Sequence, residues 1–219
     1  YLALMDASTI FQENKLAGNI KIAASKTISN YIMPNIYYDF LSKYKDVKLD
    51  ILTINSSSII DKILKNELDI GFIEVDTQNS SLIKEKLADD ELIVVSSDEK
   101  HPSIAFIDAI KKRWILREIG SGTREIFMSK IGEIAKELDI FMQLQDFEEI
   151  KTIVLNNKNT VTVLSKVIVE KELKQKKLFE IKLKNIEFKR EFYLVYHKDK
   201  TKNLLFETFI EFIKNSKVK

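Results

Sequence analysis

Two of the chain's five glycines fall within one short run, Arg117-Glu118-Ile119-Gly120-Ser121-Gly122-Thr123-Arg124. Glycine lets a backbone approach a ligand closely, and the hydroxyls of Ser121 and Thr123 add donors beside it. The run follows the apolar segment Trp114-Ile115-Leu116 and opens a helical stretch reaching about Leu138. Its amides therefore sit at a helix start, where N–H groups lack intrahelical partners and the dipole adds roughly half a positive charge. The chemistry on offer is the binding of a small anion or a carboxylate; the plainer reading is a glycine turn with a Ser/Thr cap. A dinucleotide fingerprint fails because Glu125 stands at its third glycine position, and a Walker loop fails without a Gly-Lys-Ser/Thr ending. Of 35 basic side chains only four are arginine, and Arg117 and Arg124 bracket this loop. Arg117 reads as a brace paired with Glu118; Arg124 stays a candidate contact for the ligand.

Other polar clusters sit where ligands bind in open α/β sheets, outside the carboxyl ends of strands. Ser25-Lys26-Thr27 follows the strand-like Ile20–Ala24, and Asn55 and Ser56 follow Val47–Ile54. Each is either a helix cap or a ligand contact, and three hydroxyl-rich turns at three strand ends point to one shared cleft. The candidate ligand contacts are Ser25, Thr27, Asn55, Ser56, Gly120, Ser121, Gly122, Thr123 and Arg124, with Thr162 completing the pocket. Glu74, after the strand Leu68–Ile73, is a counter-charge or simply a loop residue. Asp69, Asp89, Asp90 and Glu91 read as solvated or capping groups, His101-Pro102 as a loop and His197 as a strand end. No nucleophile has a base beside it, so catalysis is not expected. Cysteine is absent and histidines number two, which removes thiol chemistry, disulfides and Cys-ligated metals and leaves little for zinc. No metal and no cofactor are expected.

Period and punctuation give the elements that must hold these residues. Residues 2–16 read as a helix ending near Gly18, and Tyr31–Tyr44 as a helix with Pro34 in its first turn or at a kink. Ile59–Lys65 is a short helix that Asn66 closes in the left-handed conformation. Leu92–Val95 is a buried strand. In the second half come strands at Trp114–Leu116, Phe141–Leu144 and Thr160–Leu164. A capping box at Asp146/Glu149 and a cap at Ser165, whose helix runs to about Lys174, start two helices. Glu191–His197 is a strand and Leu204–Ile213 an amphipathic helix. Strand–helix alternation in both halves argues for right-handed crossovers and parallel strands. The reading is two αβ units in tandem: 18–95 with 198–219 as the first lobe, and 96–197 as the second. The joints lie near Val95–Pro102 and Lys189–His197.

The chain's 219 residues, 45% apolar and 31% charged, suit a folded globular protein of one large domain or two lobes. A net charge of +2 shows no gathered basic face of the kind duplex DNA demands. No apolar run is long enough to span a membrane, and the first residues do not read as a signal peptide.

Gly18–Ser25, the Pro34–Phe40 helix, Leu68-Asp69-Ile70-Gly71-Phe72, Asp90-Glu91-Leu92 with His101-Pro102, the Arg117–Arg124 loop and Val161–Ser165 run in a family's order. Together they resemble the effector-binding domain of LysR-type transcriptional regulators over about Gly18 to Phe212. Asn66 and Asn157-Lys158-Asn159 stand where relatives often carry glycine. The resemblance implies an α/β fold with two Rossmann-like lobes of periplasmic-binding-protein type II architecture and a ligand cleft between them. It implies an effector in that cleft, which the glycine loop makes a small anion or carboxylate, a side-by-side homodimer, a tetramer in the intact regulator, and a cytoplasmic setting. DNA would be met only through an N-terminal winged helix-turn-helix, of which residues 1–17 look like the end of the linker helix. The rival expectation is a solute-binding protein that delivers a small anion to a transporter.

Overall fold

The computed structural model describes residues 16–99, 103–104, 106–183 and 186–216. The expected helix over residues 2–16, save Leu16, and the His101-Pro102 loop lie outside them. The strands are β1 (Ala17–Ala24), β2 (Asp46–Thr53), β3 (Ile70–Ile73), β4 (Leu82–Ser96), β5 (Ser103–Ile104), β6 (Arg113–Arg117), β7 (Ile140–Leu144), β8 (Thr160–Ser165), β9 (Phe179–Glu180), β10 (Lys182–Leu183) and β11 (Phe188–His197). The helices are α1 (Lys26–Tyr31), α2 (Met33–Lys43), α3 (Ser56–Leu64), α4 (Phe106–Ile110), α5 (Gly122–Ile131), α6 (Phe147–Asn156), α7 (Lys166–Lys174) and α8 (Leu204–Asn215). A 3₁₀ segment, Gly132–Glu137, extends α5.

One sheet runs β2-β1-β3-β11-β4-β8-β6-β7, with β9 added beside β4. Its outer triplets, β2-β1-β3 and β7-β6-β8, are parallel, and the long central strands β4 and β11 run antiparallel to each other and to their outer neighbours. The chain changes halves inside these two strands. Leu92–Val95 already pair with β8, so Val95, where the sequence suggests a joint, lies within the second half. Lys84–Lys86 face the segment of β11 that pairs with β3.

β3, β8 and β6 beyond Arg113 are buried on both faces, which is why they read as apolar runs, whereas the outer strands β2 and β7 keep much of their surface exposed. In the first half, Ile22 and Phe72 meet Phe40 of α2 and Phe209 of α8 on one side, while Ala23 and Ile73 meet Ile59 and Ile63 of α3 on the other. The second half repeats this, with Trp114, Val161 and Phe127 on one face and Ile115, Leu164, Ile150 and Ile168 on the other. Pro34 sits in the first turn of α2, where its missing N–H costs nothing, and Asn66 adopts φ 56° just past α3. Among the described residues no helix is long and apolar enough to cross a membrane.

Gly71 marks the tightest point of the first half. A Cβ there would lie 2.6 Å from Ile63 Cδ1 and closer still to Ile59 Cγ2. Gly71→Ala is expected to lower stability by about 1–3 kcal/mol through overpacking, read from the urea midpoint. An unchanged midpoint would show that α3 does not press on β3 as described.

Candidate functional site

The ends of β1, β2, β3 and β6 meet around one side chain. Glu74, the first residue after β3, is 2% exposed and directs its carboxylate between the halves. Ser25 Oγ, after β1, donates to Glu74 Oε1 at 2.6 Å. Thr123 Oγ1, in the first turn of α5, donates to Oε2 at 3.2 Å, and Arg190 Nη1 donates to the same oxygen at 2.8 Å. Ser56 Oγ, in the first turn of α3, accepts the Glu74 N–H at 3.2 Å and fixes the backbone beneath. Gly122 is required by this packing, because a Cβ would stand 2.7 Å from Glu74 Cβ.

Arg190 carries the cluster across the central strands. Its Nε donates to Asp90 Oδ2 at 2.6 Å, and Ser165 Oγ, at the end of β8, donates to Asp90 Oδ1 at 2.7 Å. Asp90 is therefore a buried partner, not the solvated or capping group its sequence context suggests. Arg190 and Asp90 are the contributions that sequence reading misses; the only signal was that Arg190 is one of four arginines.

Burial alone would push the Glu74 carboxyl up. The Arg190 charge, the hydroxyls of Ser25 and Thr27 and the more distant Arg117 charge reverse that and bring it down to about 2. The Thr27 hydroxyl favours the charge without the alignment of a hydrogen bond. Thr27 Oγ1, Ser121 Oγ and Arg190 Nη2 are all buried without a hydrogen-bond partner.

Helix caps separate two uses of similar residues. Asn55, Asp146 and Asn203 accept hydrogen bonds from backbone amides of the helices they precede. Ser25, Ser121 and Ser165 occupy the same position before α1, α5 and α7, and none makes a side-chain cap bond. The Ser25 and Ser165 hydroxyls go to carboxylates, and that of Ser121 stays free. Of the expected contacts, Ser25, Ser56, Gly122 and Thr123 touch Glu74, and Thr27 and Ser121 carry spare hydroxyls. Asn55 is committed to capping Ser58 N at 3.0 Å. Gly120, at φ 87°, turns the loop and its carbonyl accepts the Ser57 N–H at 3.4 Å. Arg117 forms a two-point pair with Glu118 at 2.8 and 3.1 Å, and Arg124 donates to the Arg117 carbonyl at 2.9 Å, so both arginines brace the loop. Thr162 lies in mid-strand opposite Val95, buried and without a hydrogen bond.

The halves are in contact around the site. Ser57 Oγ reaches Glu125 at 3.1 Å, Lys26 pairs with Asp146 at 3.3 Å, and the Tyr31 and Phe147 rings stand 5.8 Å apart. The place before α5 expected to receive a ligand anion is filled by the protein's own carboxylate, Glu74, which lies against Gly122 and Thr123. Beside it a cleft of about 770 Å³ is bordered by Glu74, Arg190, Glu125, Lys130, Lys189 and Tyr193. Among the described residues no group of three or more His, Asp or Glu side chains is placed to hold a metal.

Known proteins share this fold. The profile of the LysR substrate binding domain matches residues 13–217. The chain belongs to that family. This LysR substrate-binding domain is 28% identical over 218 residues to the HTH-type transcriptional regulator YeiE of Escherichia coli, covering 96% of this chain and 73% of that protein. Its fold matches the effector-binding domain of QuiR in complex with shikimate at a TM-score of 0.77 and 19% identity, over 90% of this chain and 95% of that one. It also matches the CcmR regulatory domain of Synechocystis in complex with 2-PG at a TM-score of 0.75 and 20% identity, over the same shares. The periplasmic-binding-protein type II architecture expected from the sequence is thus the observed one.

Removing the cation of the cluster tests its electrostatics. Arg190→Met strands two buried carboxylates and should cost about 3–5 kcal/mol in urea unfolding at pH 7. In the wild-type domain the Glu74 contribution is complete above 4.5, its ordinary value, and is lost as pH falls toward about 2. Glu74→Gln should remove that portion of the acid-side decline. An acid profile identical to wild type would contradict the described pairing.

Proposed function

We propose that this LysR substrate-binding domain senses a small anion, a carboxylate or another oxyanion, between its halves, and that the intact regulator uses the result to control DNA binding. The observation that carries the reading is the convergence of donors from both halves on one buried carboxylate. Ser25 comes from the first half, Thr123 from the second and Arg190 from a crossover strand. Such a cradle recognises an acceptor-rich group and supplies charge-assisted hydrogen bonds to it. The shikimate and 2-PG bound by QuiR and CcmR carry acidic groups of that kind.

Ligand binding shifts a regulator only if it favours one arrangement of the halves over another. Donors split between halves meet that condition, since the anion is held fully only when both are in place. We read the domain as a binding module and not an enzyme, working as a homodimer, and as a tetramer in the intact protein. Its setting is the cytoplasm, and DNA is met through a separate helix-turn-helix. Family membership favours regulation over delivery of a solute to a transporter.

A thermal-shift series with sulfate, phosphate, shikimate and 2-phosphoglycolate checks this. A ligand at 100 times its Kd adds about 2.7 kcal/mol to stability and so raises Tm by roughly 5–10 °C. Ser25→Ala and Thr123→Ala should abolish the rise. A ligand whose stabilisation survives both Thr123→Ala and Thr27→Ala binds elsewhere, and the reading fails.

A further inference from the structure

We propose that Glu74 is a built-in occupant of the anion site, and that effector binding is an exchange in which the incoming anion displaces the Glu74 carboxylate from Ser25, Thr123 and Arg190. This rests on the anion-sensing reading above and adds how the site is kept closed and how it is opened.

The site holds a surplus of donors. Glu74 brings two oxygens on a tether fixed to the end of β3, and it satisfies Ser25, Thr123 and one arm of Arg190. Ser121 Oγ and Arg190 Nη2 are buried and unpartnered. Buried polar groups rarely go unpaired, because each gives up hydration without recompense. A free anion can settle where a tethered carboxylate cannot, and so collect donors that Glu74 leaves idle.

Charge points the same way. Arg190 already faces two carboxylates, Glu74 at 2.8 Å and Asp90 at 2.6 Å. A further anion in contact with an ionised Glu74, away from water, meets a repulsion that the single guanidinium cannot offset. The two anions therefore exclude one another, and the ligand enters only as Glu74 leaves.

There is also room. Glu74 and Arg190 both border the cleft of about 770 Å³, so open space lies beside the cluster for a displaced carboxylate. Lys130 borders the same cleft and has no ion pair among the described residues, so a cation is available there to the displaced carboxylate. Exchange changes what Arg190 of β11 holds, and thereby acts on the two strands that join the halves.

Isothermal titration with sodium sulfate and sodium phosphate, in low-salt buffer, compares wild type, Glu74→Gln and Glu74→Ala. Glu74→Gln keeps the shape and removes the charge, and should bind at least one of these anions roughly tenfold tighter than wild type. Equal or weaker binding by both variants, with wild type binding normally, overturns the exchange while the anion site stands. No binding by any of the three overturns both. If the variants do not fold, wild type labelled with ¹³C at glutamate carboxyls decides. Saturating sulfate should move the Glu74 resonance to the position of exposed glutamates, and a resonance that stays put while sulfate binds overturns the exchange.

Discussion

A buried negative charge shared between two halves of a sheet organises this domain. The Glu74 carboxylate has left water, and such a loss is tolerated only where charge and hydrogen bonds replace hydration. Arg190 supplies the charge, and Ser25 and Thr123 supply hydroxyls from opposite halves. The local sequence follows from that need. Gly122 is bare because Glu74 lies against it, Ser56 holds the Glu74 amide, and Ser165 orients the Asp90 that steadies Arg190. The glycine loop, two serine turns and two charged crossover residues are thus parts of one electrostatic arrangement.

Placing that arrangement on β4 and β11 gives it mechanical reach. These strands pass through both halves and pair with each other over ten positions. A change in the partner of Arg190 acts where the halves join, whereas a contact made by a loop alone would stay local. Coupling by such a route is a statement about two discrete arrangements of one element, each favoured by a different occupant of the site. The closed state does not need a ligand to draw the halves together, because an internal anion already does so.

Much of the frame was legible because its signals are local. Alternation marks β1, apolar runs mark β3, β6 and β8, and Asn66 and Pro34 mark helix ends by backbone preference. The first part of β4 was not legible: Lys84, Glu85, Lys86, Asp89, Asp90 and Glu91 form a half-exposed ribbon whose charges pair with β11, with each other or with Asp76, Lys166 and Lys214, so no apolar alternation announces it. The strand-end hydroxyls were legible as a group but not individually. Sequence cannot tell Asn55, which caps a helix, from Ser25, which gives its hydroxyl to a carboxylate. Arg190 was invisible as a site residue because Glu74 lies 116 positions away along the chain. Thr162 shows the converse: a hydroxyl three residues inside the strand does not join the cluster, and the strand-end Ser165 does.

The most direct measurement is an anomalous difference map from crystals of the domain grown in selenate, a tetrahedral anion whose selenium reports its own position. The account predicts a peak among Ser25, Thr123 and the first amides of α5, with the Glu74 side chain turned into the adjoining cleft. Selenium bound only elsewhere, with Glu74 still seated against Arg190 and Gly122, would contradict it.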